Sequence, residues 1–189
     1  MSEYCRIARG HPVHERYHDN EYGVPSRDDA VICERLALEI FQAGLSWELI
    51  LRRRDGITAA FDGFDPAHVA AFDEDRRSRL AADPRVIRNR RKIDAIVHNA
   101  GVMCALIDEH GSVAAWLDRQ HPLPKDAWVQ LFRTTFRFTG PEVTNEFLMS
   151  LGYLPGAHDP GCPAYARIAT LGPAWLSAGP DSPQPKDDA

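Results

Sequence analysis

Arg90-Arg91-Lys92-Ile93-Asp94-Ala95-Ile96-Val97-His98-Asn99-Ala100-Gly101-Val102-Met103-Cys104-Ala105-Leu106-Ile107-Asp108 is the stretch that settles the fold class. Ile93, Ile96, Val97, Ala100, Met103, Cys104 and Ile107 recur three and four residues apart, the spacing that lines one face of a helix. The flanking sequence reads the same way. Ser26 with Asp29 looks like the capped start of a helix reaching about Ala43, which Gly44 ends in a left-handed conformation. Ser46 caps a short helix over Trp47 to Arg54, and Asp65-Pro66 opens another. Further helices begin near Ser112, span about Lys125 to Thr134, and follow Gly140-Pro141. The last of these carries Val143, Phe147, Leu148 and Leu151 on one face and stops at Gly152. No run alternates apolar and polar residues as a strand does, so the fold class is all-α. Residues 1–171 read as one domain. Residues 172–189, rich in Pro, Ser, Gly and Asp, read as a disordered tail.

The chain has 189 residues, 44% of them hydrophobic and 26% charged, enough for one soluble domain with a sizeable core. No apolar run approaches the ~18 residues of a membrane span. The first residues are charged and lack a signal-peptide core, so the expected location is cytoplasmic, with no membrane partner. There, four cysteines point to metal binding or plain burial before disulfides. The net charge of −5 gives no overall attraction to nucleic acid. Arg52-Arg53-Arg54 and the group Arg85, Arg88, Arg90, Arg91 and Lys92 are local exceptions. They form either a stripe for phosphates or a solvated helix face.

Two pairs lie at opposite ends of the chain, Cys5-x12-His18 and His158-x3-Cys162. Thiolate and imidazole are the ligands zinc prefers, and four of them fill a tetrahedral structural site with no position open for water. Spacing alone leaves two unrelated cysteines and histidines equally open. A zinc deaminase is excluded, because it needs a Cys-x-x-Cys pair and a Glu beside a ligand His. Glu39 lies in the helix ending at Ala43, flanked by Leu38, Ile40 and Phe41. It is either a solvated helix position or a carboxylate held at a pocket. Tyr17, Tyr22 and Trp47 are core aromatics or the walls of a slot for a flat ring. Aromatics from two segments with a carboxylate nearby are what a nucleobase pocket requires.

Taken together, Cys5, Tyr17-His18-Asp19-Asn20-Glu21-Tyr22-Gly23-Val24-Pro25, Leu38-Glu39, Gln42-Ala43-Gly44-Leu45-Ser46-Trp47, Ile87-Arg88-Asn89-Arg90, Phe136-Arg137-Phe138-Thr139-Gly140 and His158-x3-Cys162 resemble the bacterial type I 3-methyladenine DNA glycosylases. The resemblance reaches to about Cys162. It implies a helix-hairpin-helix glycosylase fold whose terminal segments are tied by a structural Zn2+ on Cys5, His18, His158 and Cys162. It implies Glu39 as the catalytic acidic residue that hydrogen-bonds the damaged adenine. Tyr17 and Trp47 would stack on the base, with Tyr22 and His14 beside them. Gly44 and Leu45 would fill the gap left in the duplex, and a hairpin carrying Arg137, Thr139 and Gly140 would grip the backbone. The partner so implied is double-stranded DNA containing alkylated bases, bound by a monomer. No lysine lies in or just after the hairpin, so the implied enzyme is monofunctional, with water as nucleophile. A noncatalytic lesion-binding module with the same fold and zinc is the alternative.

The chain departs from that family pattern at several positions. Ile7 and Tyr22 stand where tryptophans are usual, and His14 where a tyrosine is. Thr139-Gly140-Pro141-Glu142 replaces a smaller, less acidic run. Loss of the ring at Ile7 is expected either to widen the pocket toward another alkylated purine or to weaken activity.

Overall fold

The computed structural model describes residues 3–177. Among them there are only helices and loops, as the apolar periodicity predicts. In chain order the α-helices are α1 (Glu3–Ala8), α2 (His14–Asn20), α3 (Asp29–Gln42), α4 (Trp47–Ala60), α5 (Pro66–Ala70), α6 (Glu74–Ala82), α7 (Arg90–His110), α8 (Val113–Gln120), α9 (Lys125–Thr135), α10 (Pro141–Ser150) and α11 (Pro163–Ala169).

The centre is α3. Every residue from Ile32 to Phe41 is buried, so this helix is enclosed on all sides rather than amphipathic. It packs against α4, α5, α7, α8 and α10. Phe41, Phe61, Phe64, Trp128, Phe132 and Phe147 fill the space between these helices. On α7, Ile93, Ile96, Val97, Ala100 and Met103 face this core as expected, while Cys104 and Ile107 lie only partly covered at its edge.

Local chemistry explains most boundaries. Ser46, Asp65, Ser112 and Asn89 each accept a backbone N–H at the start of the following helix, satisfying donors that have no partner within the helix. Gly44 takes φ 83° after α3, as predicted. The start of α3 differs from expectation. Asp28, not Ser26, is the cap, accepting from Ala30 and Val31 N–H, while the Ser26 hydroxyl accepts from Asp28 N. A carboxylate at that position also favours the positive end of the helix dipole. α4 continues past Arg54 to Ala60, through Gly56.

The ends of the chain meet. Cys5, Cys162, Ala164 and Ile168 form a small core of their own, with Val24 and Tyr165 against it. Tyr17-to-Pro25 lies between this terminal layer and the main bundle. Arg35, buried on α3, donates through Nη1 to the carbonyls of Val24 and Ser150, and Gly23 N donates to Ser150 O at 2.9 Å. Residues 172–177 are not a free tail. Trp175 N donates to Gly152 O at 3.1 Å, and the Trp175 ring packs on Tyr165 with centroids 5.6 Å apart. The apolar side chains of this Pro-Ala-Trp-Leu segment outweigh its tail-like composition. The rest of the expected tail, 178–189, lies outside the described residues.

Gly152 sits at this junction with φ 75°, and a Cβ there would come within 2.8 Å of Pro173 Cβ and 3.1 Å of Gly23 O. Gly10 has a similar φ of 71° with nothing within 4 Å. Gly10→Ala should therefore show the backbone cost alone, about 1 kcal/mol. Gly152→Ala should cost about 2–3 kcal/mol more in total, lowering Tm by roughly 5–10 °C. Equal melting curves for the two variants would mean that Pro173 does not press on Gly152.

Candidate active site

Three charged residues are buried on α3: Glu34, Arg35 and Glu39. A buried charge is costly unless paired, and two of these are paired. Glu34 accepts from Arg54 Nη2 at 2.6 Å and from the Thr58 hydroxyl, and Arg54 also pairs with Glu21 at 2.6 Å. Arg35 donates to the two carbonyls named above. Glu39 is different. It is 5% exposed, and among the described residues no group hydrogen-bonds its carboxyl. Burial, and then the charge of Glu146, push its pKa well above the ordinary carboxylate range. Such a group is held at a cost to stability, which marks it as a candidate for chemistry or recognition.

Its charge acts on tyrosines of an aromatic cluster that Trp47 joins. Tyr17 is buried, and the charge of Glu39 adds to burial in raising its phenol's pKa. The rings of Tyr17 and Tyr22 are 5.8 Å apart, and those of Tyr17 and Trp47 are 5.1 Å apart at 64°. Trp47 and Tyr17 therefore meet edge to face and do not form a ready parallel slot. Stacking on both would require Trp47, the more exposed ring, to turn. Tyr22 OH donates to Glu146 Oε2 at 2.9 Å.

The sequence reading missed Tyr4. Its ring meets Tyr22 at 5.5 Å and His14 at 5.6 Å, both edge-on, and its hydroxyl accepts from the Trp47 indole N–H. Ile7, by contrast, is 48% exposed. Tyr4, one turn earlier on α1, is the residue of this helix that supplies a ring to the cluster. A six-residue helix is too short for its periodicity to foretell this. His14 is buried and borders the cluster through Tyr4, with Tyr4 Oη and His14 Nδ1 3.4 Å apart.

The four zinc-type residues converge. Cys5, His18, His158 and Cys162 are all buried, and their ligand atoms lie within 4.8 Å of one another. The separations are 3.1 Å for His158 Nδ1 to His18 Nε2, 3.8 Å for Cys162 Sγ to His18 Nε2, 3.7 Å for Cys162 Sγ to His158 Nδ1, and 3.9 Å for Cys5 Sγ to His158 Nδ1. A tetrahedron with zinc–ligand bonds of about 2.0–2.3 Å has edges of roughly 3.3–3.8 Å. The outer hydrogen bonds also fit a cation. His18 Nδ1 is 2.6 Å from Asp19 Oδ1, and His158 Nε2 is 2.8 Å from the carbonyl of Tyr22. Both outward nitrogens therefore carry protons, and two lone pairs face each other across the cluster. Burial lowers the pKa of His158, which works against a bridging proton. A second group, His11, His14 and Glu48, is also close. Its donors are engaged, however: His11 Nδ1 accepts two backbone N–H groups, and Glu48 accepts from Arg52.

The expected DNA-contacting residues come together in part. The loop 136–140 joins α9 to α10, and Ala43, Arg133, Arg137, Phe138, Gly140 and Glu142 line an open groove beside it. Asn99, buried on α7, fixes the loop by accepting from Arg137 N and donating to Arg137 O. The Thr139 side chain points inward, its hydroxyl donating to the carbonyls of Phe132 and Phe136. What Thr139 offers outward is backbone. Phe138, 45% exposed with φ 64°, is a contact-type residue that sequence reasoning passed over. Its strained backbone leaves no trace in the sequence. Gly44 is exposed and Leu45 half-buried.

The two arginine-rich runs are largely neutralised. Arg52 pairs with Glu48, Arg54 with Glu21 and Glu34, Arg85 with Asp83, and Arg90 with Glu74 and Asp94. Arg53 donates to the carbonyls of Pro84 and Val86. Lys92 is not part of any surface stripe. It is 5% exposed, and its Nζ donates to Phe41 O at 2.9 Å and Ala43 O at 2.6 Å. Those carbonyls end α3 and have no intrahelical partners, so a buried ammonium is stabilised there. Arg88, Arg91, Arg133 and Arg137 are exposed, and among the described residues none of them forms an ion pair.

Comparison with known proteins gives consistent relatives. The chain is 45% identical over 98 residues to DNA-3-methyladenine glycosylase 1 of Escherichia coli, covering 52% of each chain. It is 34% identical over 106 residues to DNA-3-methyladenine glycosylase of Haemophilus influenzae, covering 56% of this chain and 57% of that one. The matched regions thus span about half the length of these curated relatives. The solved structure of 3-methyladenine DNA glycosylase I from Staphylococcus aureus superposes with TM-score 0.76 at 29% identity, over 86% of this chain and 97% of that one. A structure of such an enzyme in complex with 3-methyladenine gives the same TM-score at 27% identity, with the same coverage. The methyladenine glycosylase family model matches residues 7–127, well over half of the sequence. The chain belongs to the methyladenine glycosylase family.

Proposed function

We propose that this chain is a monofunctional DNA glycosylase that hydrolyses the N-glycosidic bond of 3-methyladenine in alkylated double-stranded DNA, the first step of base excision repair. The observation that carries this reading is the Glu39 carboxyl, buried on the central helix without a hydrogen-bond partner, its charge acting on the buried Tyr17 and Tyr22 phenols, with Trp47 packed on Tyr17.

A base held in a duplex cannot reach such a pocket, so the nucleotide is extruded at a cost of a few kcal/mol. Stacking on Trp47 and packing against Tyr17 return roughly 1–3 kcal/mol. Methylation at N3 places a positive charge on adenine. The base is then already a good leaving group and needs little acid assistance. Glu39 accepts a hydrogen bond from the base and, when ionised, balances its charge in a dry site where that interaction is strong. Undamaged adenine is neutral and leaves the carboxylate uncompensated, so it is rejected by pairing more than by shape. Water then attacks the oxocarbenium-like sugar. A lyase needs an amine nucleophile, and the two described lysines do not suit that role: Lys92 is consumed in capping α3, and Lys125 opens α9.

In the same reading Cys5, His18, His158 and Cys162 hold a structural Zn2+, which supplies cross-linking of the two termini and no reaction chemistry. His18 adjoins Tyr17, and His158 bonds the carbonyl of Tyr22, so this centre would set the pocket wall. The α9–α10 connection would act as a helix-hairpin-helix grip. Its backbone amides and the unpaired Arg133 and Arg137 would meet phosphate, with Gly44 and Leu45 filling the gap in the duplex. One such surface serves one lesion, so the active unit is a monomer. Among the described residues no helix is long and apolar enough to cross a membrane.

Glu39→Gln should reduce release of 3-methyladenine from methylated DNA by roughly 10²-fold or more, measured by chromatography of the freed bases. Excision at the wild-type rate would remove Glu39 from its role. The same variant should melt at a higher temperature than wild type near pH 7. Because the folded-state pKa of Glu39 is raised, its contribution to stability is full below the ordinary carboxylate pKa and is lost as pH rises through the raised value. The gain from glutamine should therefore shrink to nothing near pH ~4.

Cys162→Ser should bind less zinc than the wild-type protein in elemental analysis and melt at a lower temperature. Full metal content in that variant would sink the four-ligand site.

A further inference from the structure

Phe138 is the one aromatic ring among the large apolar side chains that the described residues leave open to water; the others are Ile7, Leu171 and Leu176. Its backbone is also one that a phenylalanine rarely adopts, with φ 64°. A bulky residue in the left-handed region costs stability and persists only where its surroundings over-determine it. Here they do so from both sides. Asn99, buried on α7, commits its amide to the residue before the ring, accepting from Arg137 N at 2.8 Å and donating to Arg137 O at 2.9 Å. Thr139, the residue after it, is buried and donates its hydroxyl to the carbonyls of Phe132 and Phe136. Fixing both neighbours inward holds the Phe138 backbone strained and leaves its ring in solvent. Neither the strain nor the exposed apolar area is offset inside the protein.

The ring has a setting suited to a nucleic-acid strand. It lines an open groove with Ala43, Arg133, Arg137 and Glu142. Both arginines are exposed and form no ion pair among the described residues, so cations outnumber the single acid there. Gly140, two residues along the loop, has open space where a Cβ would stand, which lets a backbone approach closely. In a duplex the base faces are covered by their neighbours. The apolar part of a strand that stays open is the carbon edge of each deoxyribose, between successive phosphates.

We infer that Phe138 is a DNA-contacting residue whose ring packs on a deoxyribose of the bound strand, between phosphates met by Arg133 and Arg137. The inference rests on the glycosylase reading above and adds an apolar contact to the polar grip of this loop. Covering the ring with sugar carbons removes apolar surface from water, an attraction that salt does not screen. The arginines supply the part that salt weakens. A loop already fixed in its strained shape loses little freedom on binding, so more of the contact appears as affinity. A sugar contact carries no sequence information, which suits a lesion that arises at any adenine.

The test uses a short duplex carrying one abasic-site analogue, with affinity read by fluorescence anisotropy at several salt concentrations. The proteins are wild type, Phe138→Asn, Phe138→Tyr and Arg137→Gln. Asparagine tolerates the left-handed region, so Phe138→Asn should melt at or above the wild-type temperature. It should bind roughly five- to tenfold more weakly with an unchanged dependence on salt. Phe138→Tyr should bind as wild type does, and Arg137→Gln should lower the salt slope by about one. Wild-type affinity in Phe138→Asn overturns the inference. So does a lower melting temperature in that variant, since the ring would then serve the fold. Removing the base from one nucleotide at a time, with each sugar kept, should preserve the difference between wild type and Phe138→Asn. Its disappearance at one position would place the ring on that base and overturn the sugar contact. Release of 3-methyladenine from methylated duplex should show the same loss as a raised KM with kcat kept. If wild type binds the duplex and releases no base, the glycosylase reading fails while the binding comparison still decides on Phe138.

Discussion

The guanidinium of Arg35 is the constraint on which the site hangs. It lies inside the protein on α3 and reaches the carbonyls of Val24 and Ser150 through one nitrogen. With the Gly23–Ser150 backbone bond, it joins the segment after α2 to the end of α10. The segment that follows Tyr17 and Tyr22 is thereby held against α3 and the end of α10. Hydrogen bonds to a charged group are worth about 1.5–3 kcal/mol each, but removing a cation from water costs several kcal/mol. Arg35 also leaves its Nε without a partner. Its contribution is therefore better described as fixing one arrangement of three segments than as adding net stability.

The polar groups of the interior divide cleanly. Lys92 closes the carbonyl end of α3, Asn99 fixes the loop at Arg137, and Arg54 satisfies Glu34 and Glu21. Each neutralises or satisfies something that folding has exposed. Glu39 does not, since no described group hydrogen-bonds its carboxyl. The rule that buried charges are paired thus locates the site without reference to any motif. The exposed and unpaired Arg133 and Arg137 lie at the loop between α9 and α10, and Arg88 and Arg91 near the start of α7, while Arg6, Arg9, Arg16, Arg79, Arg119 and Arg167 are exposed elsewhere on the surface.

The departures from the family pattern compensate one another. A tyrosine at position 22 brings a hydroxyl where an indole is usual, and Glu146 accepts it. Ile7 turns outward while Tyr4, from the same short helix, supplies a ring to the cluster. Exchanges of this kind conserve the volume and aromatic character of a pocket while changing its polar edge.

The helices of the core were legible because apolar periodicity and capping chemistry are local. The stripe on α7, the caps at Ser46 and Asp65, the left-handed turn at Gly44 and the stop at Gly152 all follow from neighbouring residues. The terminal helices α1, α2 and α11, and the polar α6, escaped notice because they are short and owe their helicity to packing. The ligand set and Glu39 could be named from sequence only through resemblance, since spacing left both open. Which arginines are free, that Lys92 is a buried cap, that Thr139 faces inward, and that Tyr4 and Glu146 border the pocket were decided by tertiary structure alone. These depend on contacts between residues as far as 124 positions apart, as Tyr22 and Glu146 are, and no local pattern encodes where two distant side chains meet.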